Sequence, residues 1–246
     1  MTEGNKLKKQ IRAIVIATIS VIGVYLILNS LSPAETASGQ RKLVINQVAG
    51  KAQAEDSPEV FSAGNNLELV LPVSREQVLG IGYHQAYNTK AMPLSSLVGL
   101  MPSPTTTAVA RTARSGEMVS FVMAARGRGS PLDSSVDLAI APGTEVKSLI
   151  SGEVLTVSAY KLYGKYDDIR IEIKPDTNPD VKVCVVHVMD PMVSPGQRVE
   201  AGKTPLAKVR TLGVNSQINQ YLGKPTDHIH IQINPIEAQP VTANAN

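Results

Sequence analysis

Residues 133–146 of this chain read DSSVDLAIAPGTEV, and this stretch decides the fold. The alternation of polar and apolar residues in its SVDLAI portion predicts a half-buried β-strand, and the Pro142-Gly143 pair after it predicts a turn. In an extended chain every second side chain points to the same face. Asp133 and Asp137 therefore put two carboxylates on one face of this strand.

The sequence on both sides of this stretch is also rich in strand patterns. Short runs rich in Val and Ile recur from residue 118 onward (VSFVMAA, SLISGEVLTV, DIRIEI, VKVCVVHV, PLAKV and HIHIQI), and LELVLPV at 67–73 is another. The segment VNSQINQYL at 214–222 predicts a short helix. Because no long helix separates the strands, we expect a mainly β fold with an antiparallel sheet of the closed or sandwich type.

The composition limits the functions that the chain can have. Its 246 residues are 43% hydrophobic, which is enough for a packed core, and the net charge is only +3. With this charge, no Trp and two Phe, we expect no nucleic-acid binding. The single cysteine excludes an intrachain disulfide framework, and we expect Cys184 to be a buried small hydrophobe. We therefore expect a metal or acid–base site to be built largely from the four histidines.

Three of the four histidines lie in predicted strands. His228 and His230 are two residues apart in HIHIQI, so both rings point to one face of their strand. His187 lies in the apolar strand VCVVHV, where a polar side chain needs a specific role. The fourth, His84 in GIGYHQAYN, precedes the dense β pattern.

The N-terminal segment predicts a membrane anchor. Residues 13–34 contain no charged side chain, and the basic stretch Lys6–Arg12 precedes them. About 20 apolar residues in a helix cross a bilayer, and basic residues stay on the cytoplasmic side, so we expect the N-terminus inside and the rest outside. A signal peptide cleaved near Ser32–Ala34 is the alternative.

These patterns divide the chain into six parts. We expect a cytoplasmic N-terminus (1–12), a transmembrane anchor (13–32), a flexible tether (33–66), an accessory β segment (67–117), a β-sheet domain (118–236) and a disordered tail (237–246).

The motifs and their order resemble the lysostaphin-like (LytM-type) zinc metallopeptidases of bacterial cell-wall hydrolases. The entry motif of that family, H-x-G-x-D followed by apolar residues and G-T-x-V, is similar to residues 133–146 except at Asp133 and Ser135. Three later segments are similar, in order, to the family's middle histidine, its glycine hairpin and its terminal H-x-H: Val186–Val188, Pro195–Gly202 and His228–Ile231. The resemblance covers about residues 121–235.

The resemblance implies a zinc site and a reaction. Members of the family hold zinc with the first His and the Asp of the entry motif and with the second His of H-x-H, and they cleave peptide crosslinks in peptidoglycan. Carried over by position, the metal ligands here would be Asp133, Asp137 and His230. His187 and His228 would be the catalytic histidines beside the activated water.

Asp133 is the departure, because the family has a histidine there. Two aspartates and one histidine would neutralise zinc and weaken it as a Lewis acid, and oxygen-rich ligation favours harder ions such as Mn or Mg. We therefore expect the zinc to be lost or replaced by a harder divalent metal, leaving a catalytically degenerate cell-wall binding or regulatory module. One alternative is an active endopeptidase with an Asp/Asp/His site. In another alternative, His84 replaces the missing ligand. Otherwise, we expect His84 to have a role in a turn or in packing.

The expected partners follow from the same resemblance. They are peptidoglycan or a cell-envelope protein, and the membrane, which the N-terminal helix would cross. We therefore expect a single-pass protein of the bacterial cytoplasmic membrane with its C-terminal domain outside. The hairpin also resembles those of biotinyl and lipoyl carriers. However, Lys203 in AGKT lacks the neighbours that those carriers place around their modified lysine.

Overall fold

The computed structural model describes residues 57–102 and 104–237. The strands are β1 (Val60–Gly64), β2 (Leu67–Val70), β3 (Val78–His84), β4 (Ser95–Ser96), β5 (Val119–Val122), β6 (Ser135–Ile140), β7 (Glu145–Lys147), β8 (Gly152–Leu162), β9 (Tyr166–Pro175), β10 (Val181–Met189), β11 (Arg198–Val199), β12 (Pro205–Val209) and β13 (Asp227–Pro235). The helices are α1 (Thr106–Arg114), α2 (Gln217–Leu222) and a 3₁₀ turn (Arg75–Gln77).

Several predicted segments lie outside the described residues. They are the cytoplasmic N-terminus, the transmembrane anchor, most of the tether and the tail from residue 238. Within the part of the chain that the structure describes, none of the helices is long and apolar enough to span a membrane.

The strands form one large sheet and one small sheet. The large sheet has ten strands in the order β11-β8-β9-β10-β13-β6-β3-β5, with β12 pairing with β10 and β7, and the small sheet has the order β2-β1-β4. The predicted mainly β fold is confirmed. The expectation of a wholly antiparallel sheet is wrong at one edge, because β3 and β5 run parallel. Parallel neighbours need a long crossover connection, and the chain between these two strands, which includes α1, provides it.

The N-terminal part of the described chain joins the large sheet. β1 lies at the end of the stretch expected as a tether, and residues 67–117, expected as an accessory β segment, supply β3, which pairs with β6. The same stretch contains α1, a helix absent from the sequence-based expectation. Its N-cap Thr105 accepts a hydrogen bond from the backbone N–H of Ala108 (3.1 Å), and Val109 is buried on its inner face. The helix predicted at 214–222 is present as α2.

The alternation in β6 and β13 separates an apolar face from a polar one. Leu138 and Ile229 are fully buried in the main core, which lies on one side of these strands. Asp137 and His230 alternate with those residues and point to the opposite side. On that side α1 and α2 pack over a second apolar cluster around Phe121. The two helices thus cover part of this face, and a cleft lies beside them.

Candidate metal centre

The register of three neighbouring strands brings two histidines to one aspartate. Asp137 on β6 pairs with His230 on β13. On its other side, Asp137 pairs with Gly82 of β3, and His84 lies opposite Ser135. Asp137 is therefore flanked by a histidine-bearing strand on each side.

The ligand atoms of these three residues converge. Asp137 Oδ1 lies 2.8 Å from His84 Nε2 and 2.9 Å from His230 Nδ1, and the two nitrogens are 3.3 Å apart. A tetrahedral zinc with ligands at about 2.0–2.1 Å holds neighbouring ligand atoms about 3.3 Å apart. All three residues are buried, and among the described residues they form a group suited to hold a metal ion. The edge between the two histidine nitrogens has this length, and the two edges to Asp137 Oδ1 are shorter by about 0.4–0.5 Å.

Both histidines are anchored through the ring nitrogen that faces away from this triangle. His84 Nδ1 lies 2.8 Å from the carbonyl oxygen of Gln85, and His230 Nε2 lies 3.1 Å from Gln232 Oε1. A neutral ring that donates its N–H to such an oxygen leaves the other nitrogen free as a metal ligand. The Arg126 guanidinium also lies beside His84 Nδ1. That nitrogen cannot accept from Arg126 while it donates to the carbonyl, so the guanidinium is a neighbouring charge and not a hydrogen-bond partner of the ring.

Burial and the neighbouring groups set the protonation states at the triangle. Burial alone would raise the pKa of Asp137, but the nearby charges of His84 and His228, together with the close contacts of the His230 and His84 rings, outweigh it and hold that pKa well below its usual value. Burial lowers the pKa of His84, against the opposing effect of Asp137. A carboxylate beside a neutral imidazole is the ligand form that divalent metals bind.

A second histidine pair lies next to the triangle. His187 Nδ1 donates to Asp168 Oδ2 (2.6 Å), and the same oxygen accepts the Tyr160 hydroxyl (2.7 Å). Burial opposes ionisation of Asp168, but the hydrogen bond and charge of His187 prevail and lower its pKa. The rings of His187 and His228 meet edge to face with centroids 5.0 Å apart. Asp168 therefore orients His187 in the way that a carboxylate orients a catalytic base.

His187 projects from an irregularity in its strand. The pairing of β10 with β9 shifts between Val186 and Val188, and His187 is the extra residue, with φ 66°. A left-handed conformation is uncommon for a residue with a Cβ, and bulges re-aim side chains beside active sites. The side chain of His187 stays 13% exposed, whereas that of Asp168 is fully buried.

His228 is buried next to the triangle. Its Nε2 lies 3.6 Å from Asp137 Oδ2, and its Nδ1 is buried with no hydrogen-bond partner among residues 57–102 and 104–237. Burial, against the opposing charge of Asp137, lowers the pKa of His228 to about 3. The ring is therefore neutral at neutral pH, with an unused polar atom at the site.

All four histidines line one cleft. It has a volume of about 660 Å³, and α2 and the 211–216 loop form one of its walls. Aromatic and basic side chains complete the lining: Tyr87, Tyr160, Tyr163, Arg126, Arg128, Lys161 and Arg170.

Of the five site residues predicted from the sequence, the structure brings four together. Asp137, His187, His228 and His230 lie around the cleft. Asp133 lies in the turn before β6, half-buried, where its backbone carbonyl accepts from the N–H of Leu94 (2.8 Å). It lies outside the triangle, and His84 provides the third ligand atom there.

Two residues that support the site, Asp168 and Gln232, are absent from the sequence-based prediction. Asp168 is one of two adjacent aspartates in YDDIRIEIKP, and alternation alone does not say which faces His187. Gln232 shares the face of His228 and His230 in HIHIQI, which is a usable but weak signal. The prediction for Cys184 is confirmed, because it is fully buried and burial raises the pKa of its thiol to about 12.

No protein-family model matches the chain, and no curated protein does. Among solved structures, the solution structure of lysostaphin matches with 20% identity and a TM-score of 0.32, over 43% of this chain and 38% of that one. The catalytic domain of the antimicrobial peptidase lysostaphin from Staphylococcus simulans matches with 19% identity and a TM-score of 0.32, over 46% of this chain and 73% of that one.

A zinc-containing peptidase from Vibrio cholerae matches with 22% identity and a TM-score of 0.29, over 43% of this chain and 30% of that one. This chain thus spans well under half the length of the first lysostaphin structure and of the Vibrio peptidase. Each of these three similarities covers less than half of this chain.

Proposed function

We propose that this chain is a zinc-dependent hydrolase that cleaves peptide bonds in peptidoglycan. One observation carries the proposal: the ligand atoms of His84, Asp137 and His230 converge in a buried triangle. His187 and His228, which line the same cleft, supply groups able to move protons.

The donor set of the triangle fits zinc. Two imidazole nitrogens and one carboxylate oxygen are zinc ligands, and three protein ligands leave the fourth position for water or substrate, as a catalytic site requires. With one carboxylate the site keeps a net charge of about +1, which an Asp/Asp/His set would cancel. When bound, zinc would lower the pKa of a water molecule and polarise the carbonyl of the scissile bond.

His187 has the environment of a general base. Its Nδ1–H is held by Asp168, so its Nε2 is free to accept the proton that the attacking water loses. As the C–N bond of the substrate breaks, the same nitrogen returns the proton to the leaving amine. Asp168 stays ionised throughout, because its surroundings lower its pKa.

His228 has the environment of a hydrogen-bond donor. A ring that stays neutral at neutral pH carries one N–H, and the buried Nδ1 has no partner in the described chain. Such a group stabilises negative charge that develops on the carbonyl oxygen, and removing a donor of this kind typically costs about 10²–10³ in kcat.

The geometry supports an active site rather than the degenerate module expected from the sequence. That expectation rested on Asp133 replacing a histidine ligand, and His84 supplies a histidine at this corner from another strand. The peptidoglycan substrate and the outward-facing, membrane-anchored location remain part of the proposal. They are supported by the sequence motifs and by the uncharged residues 13–34.

The test uses the full chain. We expect about one zinc per chain by elemental analysis, and new peptide fragments when the protein is incubated with purified peptidoglycan and the products are analysed by mass spectrometry. A chelator should abolish the release of fragments, and added zinc should restore it. Bound protein without released fragments would support the degenerate module instead, and a chain that neither binds nor cleaves the wall would exclude both functions.

A further inference from the structure

Among residues 57–102 and 104–237, no carboxylate forms an ion pair with the two arginines beside the metal corner, Arg126 and Arg128. Arg126 and Arg128 follow β5 and line the cleft, and their side chains contact neutral groups. The Arg126 guanidinium lies against the His84 ring, and Arg128 donates to the carbonyl oxygen of Gln85 (3.1 Å). Arginines that are not neutralised within the protein are suited to bind an anion.

Gln85 ties these arginines to the metal corner. Its side-chain oxygen accepts hydrogen bonds from the backbone N–H of Arg126 (2.6 Å) and of Arg128 (3.4 Å), and its amide donates to the carbonyl of Ser130 (2.8 Å). Gln85 is buried and directly follows His84. The loop is therefore fixed to the residue next to a metal ligand, so the guanidinium groups have a defined place beside the site.

The charge in this part of the cleft is positive. Burial and the nearby charge of Arg128 lower the pKa of Arg126, and the charge of Asp137 offsets only part of this lowering. The guanidinium groups of Arg126 and Arg128 thus carry like charges close together. Arg170 lines the cleft as well; it stacks on the ring of Tyr87 at 5.2 Å, and its buried Nε has no hydrogen-bond partner among the described residues. An anionic group of a ligand would relieve this repulsion.

We propose that Arg126 and Arg128 form a subsite for a carboxylate of the substrate peptide, on the His84 side of the metal. This inference rests on the proposed function, since peptide substrates carry their negative charge as carboxylates. The guanidinium fork matches a carboxylate with two parallel hydrogen bonds. The Arg126 guanidinium lies against the ring of His84, a residue of the triangle. The carboxylate therefore belongs to a residue close to the cleaved bond.

The test compares two preparations of the same peptidoglycan. In one, the free carboxylates are converted to neutral amides with a carbodiimide and glycinamide; the other is untreated. We expect the wild-type chain to cleave the untreated wall about tenfold faster or more, which is the effect of losing charge-assisted hydrogen bonds. The double variant Arg126→Gln/Arg128→Gln should cleave both walls at the slow rate. Arg126→Lys should keep part of the difference, and Arg111→Gln, on the exposed face of α1, should keep all of it.

A binding measurement with the two wall preparations distinguishes failure of this inference from failure of the proposed function. The His187→Ala chain should sediment with untreated wall more than with amidated wall, and added salt should reduce the difference. If no preparation is cleaved, the proposed hydrolase function fails, and the binding difference still decides the carboxylate subsite. Equal binding to both walls, or equal cleavage of both by the wild-type chain, would overturn the subsite.

Discussion

Two corners of the same cleft are built differently. At the metal corner, His84 and His230 both direct a ring nitrogen at one oxygen of Asp137, and the two nitrogens are only 3.3 Å apart. At the base corner, His187 has its own partner, because its Nδ1 donates to Asp168. Converging ligand atoms form a site that needs a bound cation to function. A histidine bonded to a carboxylate can act as a base without one. Mutations at the two corners should therefore have different effects.

The largest effect is expected at the metal corner, where His84→Ala and Asp133→Ala form a matched pair. His84→Ala removes one of three ligand atoms, so zinc affinity should fall by more than about 100-fold, and cleavage of peptidoglycan should become undetectable. Asp133→Ala should keep about one zinc per chain and full activity, since Asp133 lies outside the triangle. Elemental analysis after dialysis measures zinc, and circular dichroism checks the fold. Retained zinc in His84→Ala together with lost zinc in Asp133→Ala would reverse the assignment.

The base corner should show the opposite behaviour, with lost rate and retained metal. His187→Ala should lower kcat by about 10²–10⁴ while the zinc content stays near one per chain. Asp168→Asn should also slow the reaction. The uncharged amide can donate to His187 Nδ1 as well as accept from it, so it no longer fixes the tautomer of the ring.

Tyr160→Phe is the matched control for this corner. It removes another hydrogen bond to the same Asp168 oxygen without touching His187, so its effect on kcat should be smaller than that of Asp168→Asn. Loss of zinc from His187→Ala would show that the two corners do not act separately.

The sequence predicts one side of the metal corner much better than the other. The H-x-H pattern at 228–230 assigns both rings to one face through local alternation, and the structure has them there. Asp137 follows from the same local logic in SVDLAI. His84 is 53 residues before Asp137, and its contact with that residue depends on β3 pairing with β6. Alternation tells which face a side chain takes, but not which strands become neighbours.

The same limit explains why the sequence predicts neither the parallel pairing of β3 with β5 nor the helix α1. VSFVMAA predicts the strand β5, yet its pairing with β3 follows from long-range packing. The amphipathic pattern of α1 is short, and Pro102 and Pro104 just before it favour a loop in a local interpretation. Its buried face, including Val109, meets the cluster around Phe121 only in the folded chain.

The smallest effect is expected for Gln232→Met, which tests how firmly the metal corner is held. Gln232 is fully buried, accepts from His230 Nε2 (3.1 Å) and donates to Asn234 Oδ1 (2.9 Å). Methionine has a similar volume without the acceptor, so zinc affinity should fall about 10–100-fold, while kcat at saturating zinc stays close to that of the wild type. Gln232→Glu keeps an acceptor oxygen and should bind zinc more tightly than Gln232→Met in competition with a chromophoric chelator. Loss of the acceptor that holds His230 should thus change the affinity for zinc, whereas loss of the acceptor that holds His187 should change kcat. Equal zinc affinities of the two Gln232 variants would instead mean that packing alone orients His230.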